Sequence, residues 1–356
     1  MIIRFLKAGN GDAILMSFKE NDINRNILID SGVSSTYYSS STNEFGDLKT
    51  EIDNIKKRDE VLDLVILSHI DNDHICGLIE WFRRDMDAYM LIKNVWFNSG
   101  KTIAQFLKKP ENIDLDVELK IFTDPKTGVN EGIEFEDYLL EKKIWDQQIV
   151  KQGQSVEYFG IKIEVLSPDK NQLNRLLKEY KRVTSDDAYT AAKEKDWNRN
   201  IKDFIEEENK TDFKFKQDTS VKNGSSISFI ITVGKCSFLF LGDSHPKGIV
   251  KYLQKLKYSK DEPLNVDLIK VAHHGSKSNT NKELLEIVRS TNYYISTDGS
   301  EHNHPNKRTL ARILQSNPDA VFHFNYEHIR DQLFSKQDRE DFTIKARVTT
   351  QMEFEL

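Results

Sequence analysis

The stretch Leu64-Val65-Ile66-Leu67-Ser68-His69-Ile70-Asp71-Asn72-Asp73-His74-Ile75-Cys76-Gly77-Leu78 decides how the rest of this chain is read. Its four uninterrupted aliphatic residues have the character of a buried strand, and they run straight into two imidazoles and two carboxylates. His69 and Asp71 alternate about Ile70 and project to one side, while Asp73 and His74 follow as the chain turns toward a helix beginning near Gly77. Four groups that are all electron-pair donors when deprotonated would repel one another unless cations sat between them. A polar turn with Asp73 as helix N-cap would use one side chain and leave three unexplained. The stretch therefore reads as a metal site at the end of a strand.

Working outward, a second strong signal lies far along the chain. Ile227 to Val233 and Cys236 to Leu241 are two apolar strands joined by Gly234-Lys235, a two-residue hairpin turn. The hairpin ends in Gly242-Asp243, which places Asp243 to act as a further ligand. Val266 to Ala272 is a buried strand running into His273-His274-Gly275-Ser276, where the glycine permits a sharp turn. Tyr293 to Ser296 is another strand, followed by a polar loop with His302, His304 and Pro305. His245 reads as a group near a helix start, and His302 as a solvated loop residue. His323 and His328 carry no motif and read as structural.

Nearer the start, residues 2–6 and 13–18 are short strands around Gly9-Asn10-Gly11-Asp12, and Ile27-Leu28-Ile29 is a strand closed by Asp30-Ser31-Gly32. Asp12 and Asp30 suit either ligand-orienting groups or turn residues bonding nearby amides. Residues 33–50 read as a loop bordering the cleft, about 47–60 as a helix, and 101–150 as helical and polar. Val156 to Pro168 is a hairpin turning at Gly160. Residues from about 170 to 222, with mixed lysines and acids and Glu206-Glu207-Glu208, read as a charged helical insertion on the surface, a candidate lid or protein-partner surface. Residues 343–355 alternate as an edge strand would. The whole, 1–356, is read as one domain carrying that insertion.

At 356 residues the chain can bury a sizeable core. Charged residues make up 30% and no apolar run approaches the roughly 20 residues that span a bilayer, so neither composition nor pattern points to a membrane protein. The N-terminus has no long apolar region with a cleavage site, which makes the cytoplasm the expected compartment. Two cysteines exclude a disulfide framework, and both read as small buried hydrophobes. The net charge of −6 does not favour a polyanionic partner, although two divalent cations would restore positive charge where a phosphate must sit.

The pattern His69-x-Asp71-x-Asp73-His74, after Ser68 and before Gly77, resembles the first metal motif of the metallo-β-lactamase superfamily. Asp71, where most members have His, is similar to the branch typified by the metallo-hydrolase domain of the ComEC DNA-uptake proteins. The Gly9 to Ala13 turn, Ile29-Asp30-x-Gly32, Asp243, the segment Asp267-x-x-Lys270-Val271-x-His273-His274-Gly275-Ser276 and His304-Pro305 carry the resemblance further. It covers roughly residues 1–35, 60–100, 155–170 and 223–310. It implies an α/β (α+β) fold, a four-layer αβ/βα sandwich, with Asp243 touching both metals.

On that resemblance, two divalent ions, Zn2+ or Mn2+, are expected on His69, Asp71, Asp73, His74, Asp243 and one of His273 and His274, with His274 favoured. They would share a bridging hydroxide. Asp73 and His304 are the expected catalytic residues, and Asn223, Ser276 and His304 the expected substrate contacts. The implied activity is a metal-dependent hydrolase, a phosphodiesterase or nuclease acting on nucleic acid or a nucleotide. The superfamily's middle histidine has no candidate, because no His occurs between His74 and His245; Asn223 or a water is expected there. Two other readings fit the same residues: a non-catalytic module stapled by metal that binds a partner protein, and a di-iron oxidoreductase.

Overall fold

Alternating apolar residues at the start of the chain build an antiparallel ribbon, as period-two patterning requires. In the computed structural model, which describes residues 1–109, 128–180 and 195–356, Ile2–Phe5 (β1) pairs with Ile14–Glu20 (β2), Phe5 opposite Ile14. Ile23–Ile29 (β3) returns along β2 with Ile29 opposite Ile14. A small ribbon, Tyr38–Ser39 (β4) and Glu44–Phe45 (β5), and the helix Asp47–Lys57 (α1) lead into Leu64–Ile66 (β6), the strand expected ahead of His69. β6 lies parallel to β3, and Asn72–Arg84 (α2) carries the chain across to Val95–Trp96 (β7), parallel to β6. Gly100–Phe106 (α3) and Gly128–Lys142 (α4) supply the helices expected over 101–150, of which residues 110–127 lie outside the described residues.

Ser155–Tyr158 (β8) and Ile161–Ser167 (β9) form the expected hairpin at Phe159-Gly160. Lys170–Tyr180 (α5), Ile201–Glu208 (α6) and Val221–Gly224 (α7) follow, then the hairpin of Ser228–Val233 (β10) and Cys236–Phe240 (β11). Beyond Pro246–Lys255 (α8) come Leu264–Asn265 (β12), Leu268–Lys270 (β13), Lys282–Ile287 (α9), Val288–Arg289 (β14) and Asn292–Ile295 (β15). The chain closes with Lys307–Ser316 (α10), Val321–Phe324 (β16), Glu327–Leu333 (α11), Lys336–Asp341 (α12), Lys345–Val348 (β17) and Gln351–Glu353 (β18).

The strands make two main sheets, one ordered β18-β1-β2-β3-β6-β7 and the other β17-β16-β15-β13-β11-β10-β9-β8. The tail expected to form one edge strand serves both: β17 lies parallel to β16 and β18 antiparallel to β1. Burial divides into three apolar clusters. One, with Ile3, Phe5, Met16, Phe229, Phe238 and Tyr294, joins residues of both sheets and fills the space between them. A second joins the outer face of the first sheet to helices through Leu15, Val65, Leu78 and Trp81. The third does the same on the other side through Leu239, Ile269, Leu253 and Leu310. Three interfaces define four layers, the αβ/βα sandwich.

The stretch 170–222 departs from the surface insertion expected there. Leu173, Leu176, Leu177 and Tyr180 of α5 are buried in the first helix-facing cluster, and Trp197, Ile201 and Phe204 in the other. The charges occupy the solvent faces of helices whose apolar stripes are core, a division that average composition conceals. Residues 181–194 lie outside the described residues.

One consequence positions the site. β11, β13 and β15 run parallel with Phe240, Lys270 and Tyr294 in register. Their C-terminal ends therefore release Asp243, His273 and Ser296 side by side, at the edge where ligands collect in parallel sheets.

Candidate metal centre

Asp243 is the hub. It is 2% exposed, and its two oxygens address different groups: Oδ2 lies 3.7 Å from His69 Nε2 and 3.6 Å from His273 Nε2. Oδ1 lies 3.6 Å from His74 Nε2 and 3.8 Å from His274 Nε2. Asp73 adds Oδ2 at 3.2 Å from His274 Nε2, and Asp71 adds Oδ2 at 3.6 Å from His69 Nε2. His69, Asp71, Asp73, His74 and Asp243 thus meet, and with them both members of the histidine pair, of which one was expected. His273 faces the same Asp243 oxygen as His69.

Each ring is turned by its other nitrogen. His74 Nδ1 donates to Asp30 Oδ2 (2.8 Å), and His274 Nδ1 to the Ser296 carbonyl (2.9 Å) with Asp12 Oδ1 at 3.4 Å. His273 Nδ1 donates to Asn279 Oδ1 (3.0 Å). Ser68 Oγ donates to Asp30 Oδ2 (2.7 Å) and so accepts from His69 Nδ1 (3.0 Å). All four rings carry their proton on Nδ1 and aim a lone pair from Nε2 at Asp243. Asp12 and Asp30 are therefore orienting groups. Behind Asp12, the buried Lys270 ammonium lies 2.6 Å from Oδ2; against the cost of burial, Lys270 and His274 hold the Asp12 carboxyl well below the usual range.

These atoms fit metal ions and little else. Nε2 of His69, His74 and His274 and Oδ1 of Asp243 are buried without a hydrogen-bond partner, lone pair facing lone pair. Donor atoms of Asp73, His74 and His274 lie within 4.8 Å of one another, as do those of His69, His74 and Asp243. Without metal, protons must supply the positive charge. Burial opposes a charged His74, yet Asp243, Asp30 and Asp73 hold its pKa well above the ordinary value. The same contest raises His274 to about 10, with Asp243 and Asp12 overcoming burial. The set of histidine nitrogens and carboxylate oxygens suits zinc or manganese.

The backbone that presents the pair is unusual. His273 (φ 48°, ψ 55°) and His274 (φ 52°, ψ 26°) are successive non-glycine residues in the left-handed region, followed by Gly275 at φ 84°. Such conformations cost on the order of 1–3 kcal/mol each and persist where surroundings enforce them. They let adjacent side chains diverge, with ring planes 76° apart. A Cβ on Gly275 would sit 2.8 Å from Pro305 Cβ, so only glycine allows the turn to pack on the His304-Pro305 loop.

His304 is buried, its ring centred 4.9 Å from that of His273, and its Nδ1 has no partner. Burial, then the neighbouring His273 and His274, push its pKa well below the usual range, so it stays neutral. Trp197 Nε1 donates to the Pro305 carbonyl at 2.8 Å, fixing this loop from the charged stretch. Ser276 is buried and its Oγ accepts from Ser278 N (3.2 Å), a turn-closing contact. Asn223 donates to Asp218 Oδ2 (2.8 Å), with its amide nitrogen 3.4 Å from His273 Nδ1, which sets it behind that ring. His245 caps α8 and faces Asp218 at 3.8 Å, while His302 is exposed. Cys76 is half-buried and belongs to none of the close donor sets among the described residues; burial and Glu131 push its thiol up to about 12.

Three residues escaped sequence reasoning. Asp218, 3.4 Å from His273 Nδ1, is one of many acids in a charged stretch and carried no signal. Asn279 was legible only as a neighbour of the His273-His274 turn. Lys222, whose Nζ lies 2.7 Å from Asp71 Oδ1, is one of many lysines. Burial would raise Asp71; His69 and Lys222 overcome it and hold the carboxyl well below the usual range.

The sandwich and its histidine-carboxylate cluster define a metal-dependent hydrolase fold. The chain belongs to the metallo-β-lactamase superfamily, whose family model matches residues 8–299. ComE operon protein 3 of Bacillus subtilis (strain 168) is 24% identical over 119 residues, which cover 31% of this chain and 15% of that protein. Similar solved structures include the metallo-β-lactamase fold protein YhfI from Bacillus subtilis, 12% identical with TM-score 0.44, covering 98% of this chain and 96% of that one. Isothiocyanate hydrolase from Delia radicum gut bacteria is 12% identical with TM-score 0.40 and 99% coverage of both chains. A diphosphatase of the PhnP family is 9% identical with TM-score 0.39, covering 100% and 99%. Among the described residues no helix is long and apolar enough to cross a membrane.

Proposed function

We propose that this protein is a phosphodiesterase acting on nucleic acid or a smaller nucleotide, with two divalent cations, Zn2+ or Mn2+, at the Asp243 cluster. The observation that carries this is the set of four imidazoles, each fixed by its Nδ1 bond and each aiming Nε2 at one carboxylate. Asp73, His74, His274 and Asp243 would hold one ion, and His69, Asp71, His273 and Asp243 the other. Bound there, such ions supply Lewis acidity and lower the pKa of coordinated water toward neutrality.

The chain's own residues do the rest. Asp30 and Ser68 orient His74 and His69, Ser296 and Asp12 orient His274, and Asn279 and Asp218 orient His273. His304, neutral and beside His273, donates a hydrogen bond to an anionic oxygen of the substrate, where such donors stabilise developing charge. The carboxylate-rich first motif, with Asp71 in place of histidine, supports the phosphodiester reading through its likeness to the ComEC-type branch.

The test is metal-stripped protein reconstituted separately with manganese and zinc, assayed on bis(p-nitrophenyl) phosphate and on single- and double-stranded DNA. Metal-dependent cleavage that disappears in Asp73→Ala supports the assignment. Metal binding without cleavage of any of these would overturn it and favour a metal-stapled binding module.

A further inference from the structure

The two halves of the cluster are not equivalent. Among the described residues, donor atoms lie within 4.8 Å of one another in Asp73, His74 and His274 and in His69, His74 and Asp243, whereas Asp71 and His273 belong to no such set of three. Asp71 instead has a cation already: Lys222 Nζ lies 2.7 Å from its Oδ1, both side chains being about one-fifth exposed. The other oxygen of Asp71 is the one that faces His69. A single carboxylate therefore stands between a built-in ammonium and the place where an ion beside His69 would sit.

Lys222 is not a loose surface residue. It lies on the short helical turn α7, where Ser220 Oγ accepts from Asn223 N at 3.3 Å. Val221 packs against the first helix-facing core cluster. Gly224 lets that turn press on the His245 ring, since a Cβ there would come within 2.6 Å of the imidazole. The turn is pinned on both sides of Lys222, so the ammonium is presented at Asp71 by the fold.

Electrostatics then separates the two ion positions. An ammonium paired with Asp71 cancels the charge that would attract a dication and repels any dication that arrives, because like charges a few ångströms apart interact strongly at a partly buried site. Among the described residues no lysine or arginine pairs with Asp73 or Asp243, and Lys270 pairs with Asp12, which lies behind the His274 ring. We infer that Lys222 is the built-in counter-charge of Asp71, so that the position formed by Asp73, His74, His274 and Asp243 fills tightly, while the position beside His69, Asp71 and His273 fills weakly and against Lys222. This rests on the cluster being a metal centre, as proposed above.

The test is titration of chelator-stripped full-length protein with Mn2+ alone, free ion being read by electron paramagnetic resonance and bound ion by elemental analysis after dialysis. The wild type is expected to bind one ion tightly and a second at least about tenfold more weakly, and Lys222→Met to strengthen the second by about tenfold or more. Lys222→Arg, which keeps the charge, should behave as wild type. Two ions of equal affinity in the wild type, or an unchanged second ion in Lys222→Met, would overturn the inference. Circular dichroism checks the fold of each variant, and the wild-type curve tests the asymmetry with no variant at all. Because ion content is read apart from turnover, the stepwise pattern without hydrolysis would overturn the phosphodiesterase assignment and leave the role of Lys222 standing. Failure to bind any ion would overturn both.

Discussion

His273 and His274 are neighbours in the chain, yet they address opposite oxygens of Asp243: Nε2 of His273 lies 3.6 Å from Oδ2, and Nε2 of His274 lies 3.8 Å from Oδ1. Two consecutive left-handed residues make this possible. If the pair is shared between two ions, removing each ring should cost a different one. His274→Ala is expected to lose the tightly held ion, and His273→Ala to retain it. Each should lose on the order of 100-fold or more in hydrolysis, judged from the effect of even the groups that orient metal ligands. Metal content measured beside turnover checks this.

Asp30 accepts from Ser68 N (2.7 Å), Ser68 Oγ (2.7 Å) and His74 Nδ1 (2.8 Å), so one buried carboxylate sets two of the rings. Asn in its place has one acceptor oxygen for three donors. Asp30→Asn should weaken metal binding by about 10- to 100-fold with little change in substrate KM. A metal titration followed by kinetics at saturating metal separates the two effects.

His304 touches none of the Asp243 oxygens but stands beside His273 with an unsatisfied Nδ1. Its loss should leave ion binding intact and lower kcat by about 10²- to 10³-fold, the usual cost of removing a hydrogen-bond donor aimed at developing charge. Loss of ions from His304→Ala would instead make it part of the metal cluster.

Stability should depend on pH through His323. Its Nδ1 pairs with Thr349 Oγ1 (2.9 Å) and its Nε2 with Asn292 Oδ1 (3.0 Å), a neutral ring fully used. Burial and Arg347 lower its pKa to about 4. The unfolded ring titrates near 6.5, so below that pH the unfolded chain binds a proton that the folded one refuses. The contribution is present above about pH 6.5 and is lost as pH falls toward 4, amounting to about 2 kcal/mol between pH 7 and pH 5. Urea unfolding at both pH values should show that slope reduced in His323→Gln.

Lys307 and Asp338 form a fully buried ion pair at 2.8 Å. Asp338 also accepts from Ile201 N (2.6 Å) and Ser335 N (2.9 Å), tying α6 and α12 to the start of α10. Breaking the pair strands a buried charge, and Asp338→Ala should destabilise the protein by about 3–5 kcal/mol. The urea midpoint measures it.

The strand before His69, the hairpin ending at Asp243 and the turn at His273 were legible because each is a local pattern: an apolar run, a two-residue turn, a cluster of donors. The stretch 170–222 departs from its expected surface role for a local reason as well. Leu173, Leu176, Leu177 and Tyr180 have helical spacing, but the surrounding charge hid a stripe that is core.

What the sequence by itself determined was the kind of site and its position at strand ends, since residue type and period are properties of neighbouring residues. Only the tertiary structure decided that His273 joins His274 as a partner of Asp243, that Asp218 and Asn279 turn it, and that Lys222 holds Asp71. Those pairings bring together residues up to 151 positions apart, from Lys222 back to Asp71. Which carboxylate meets which ring depends on how parallel strands align their ends and how two sheets stack, and no period in the chain encodes that.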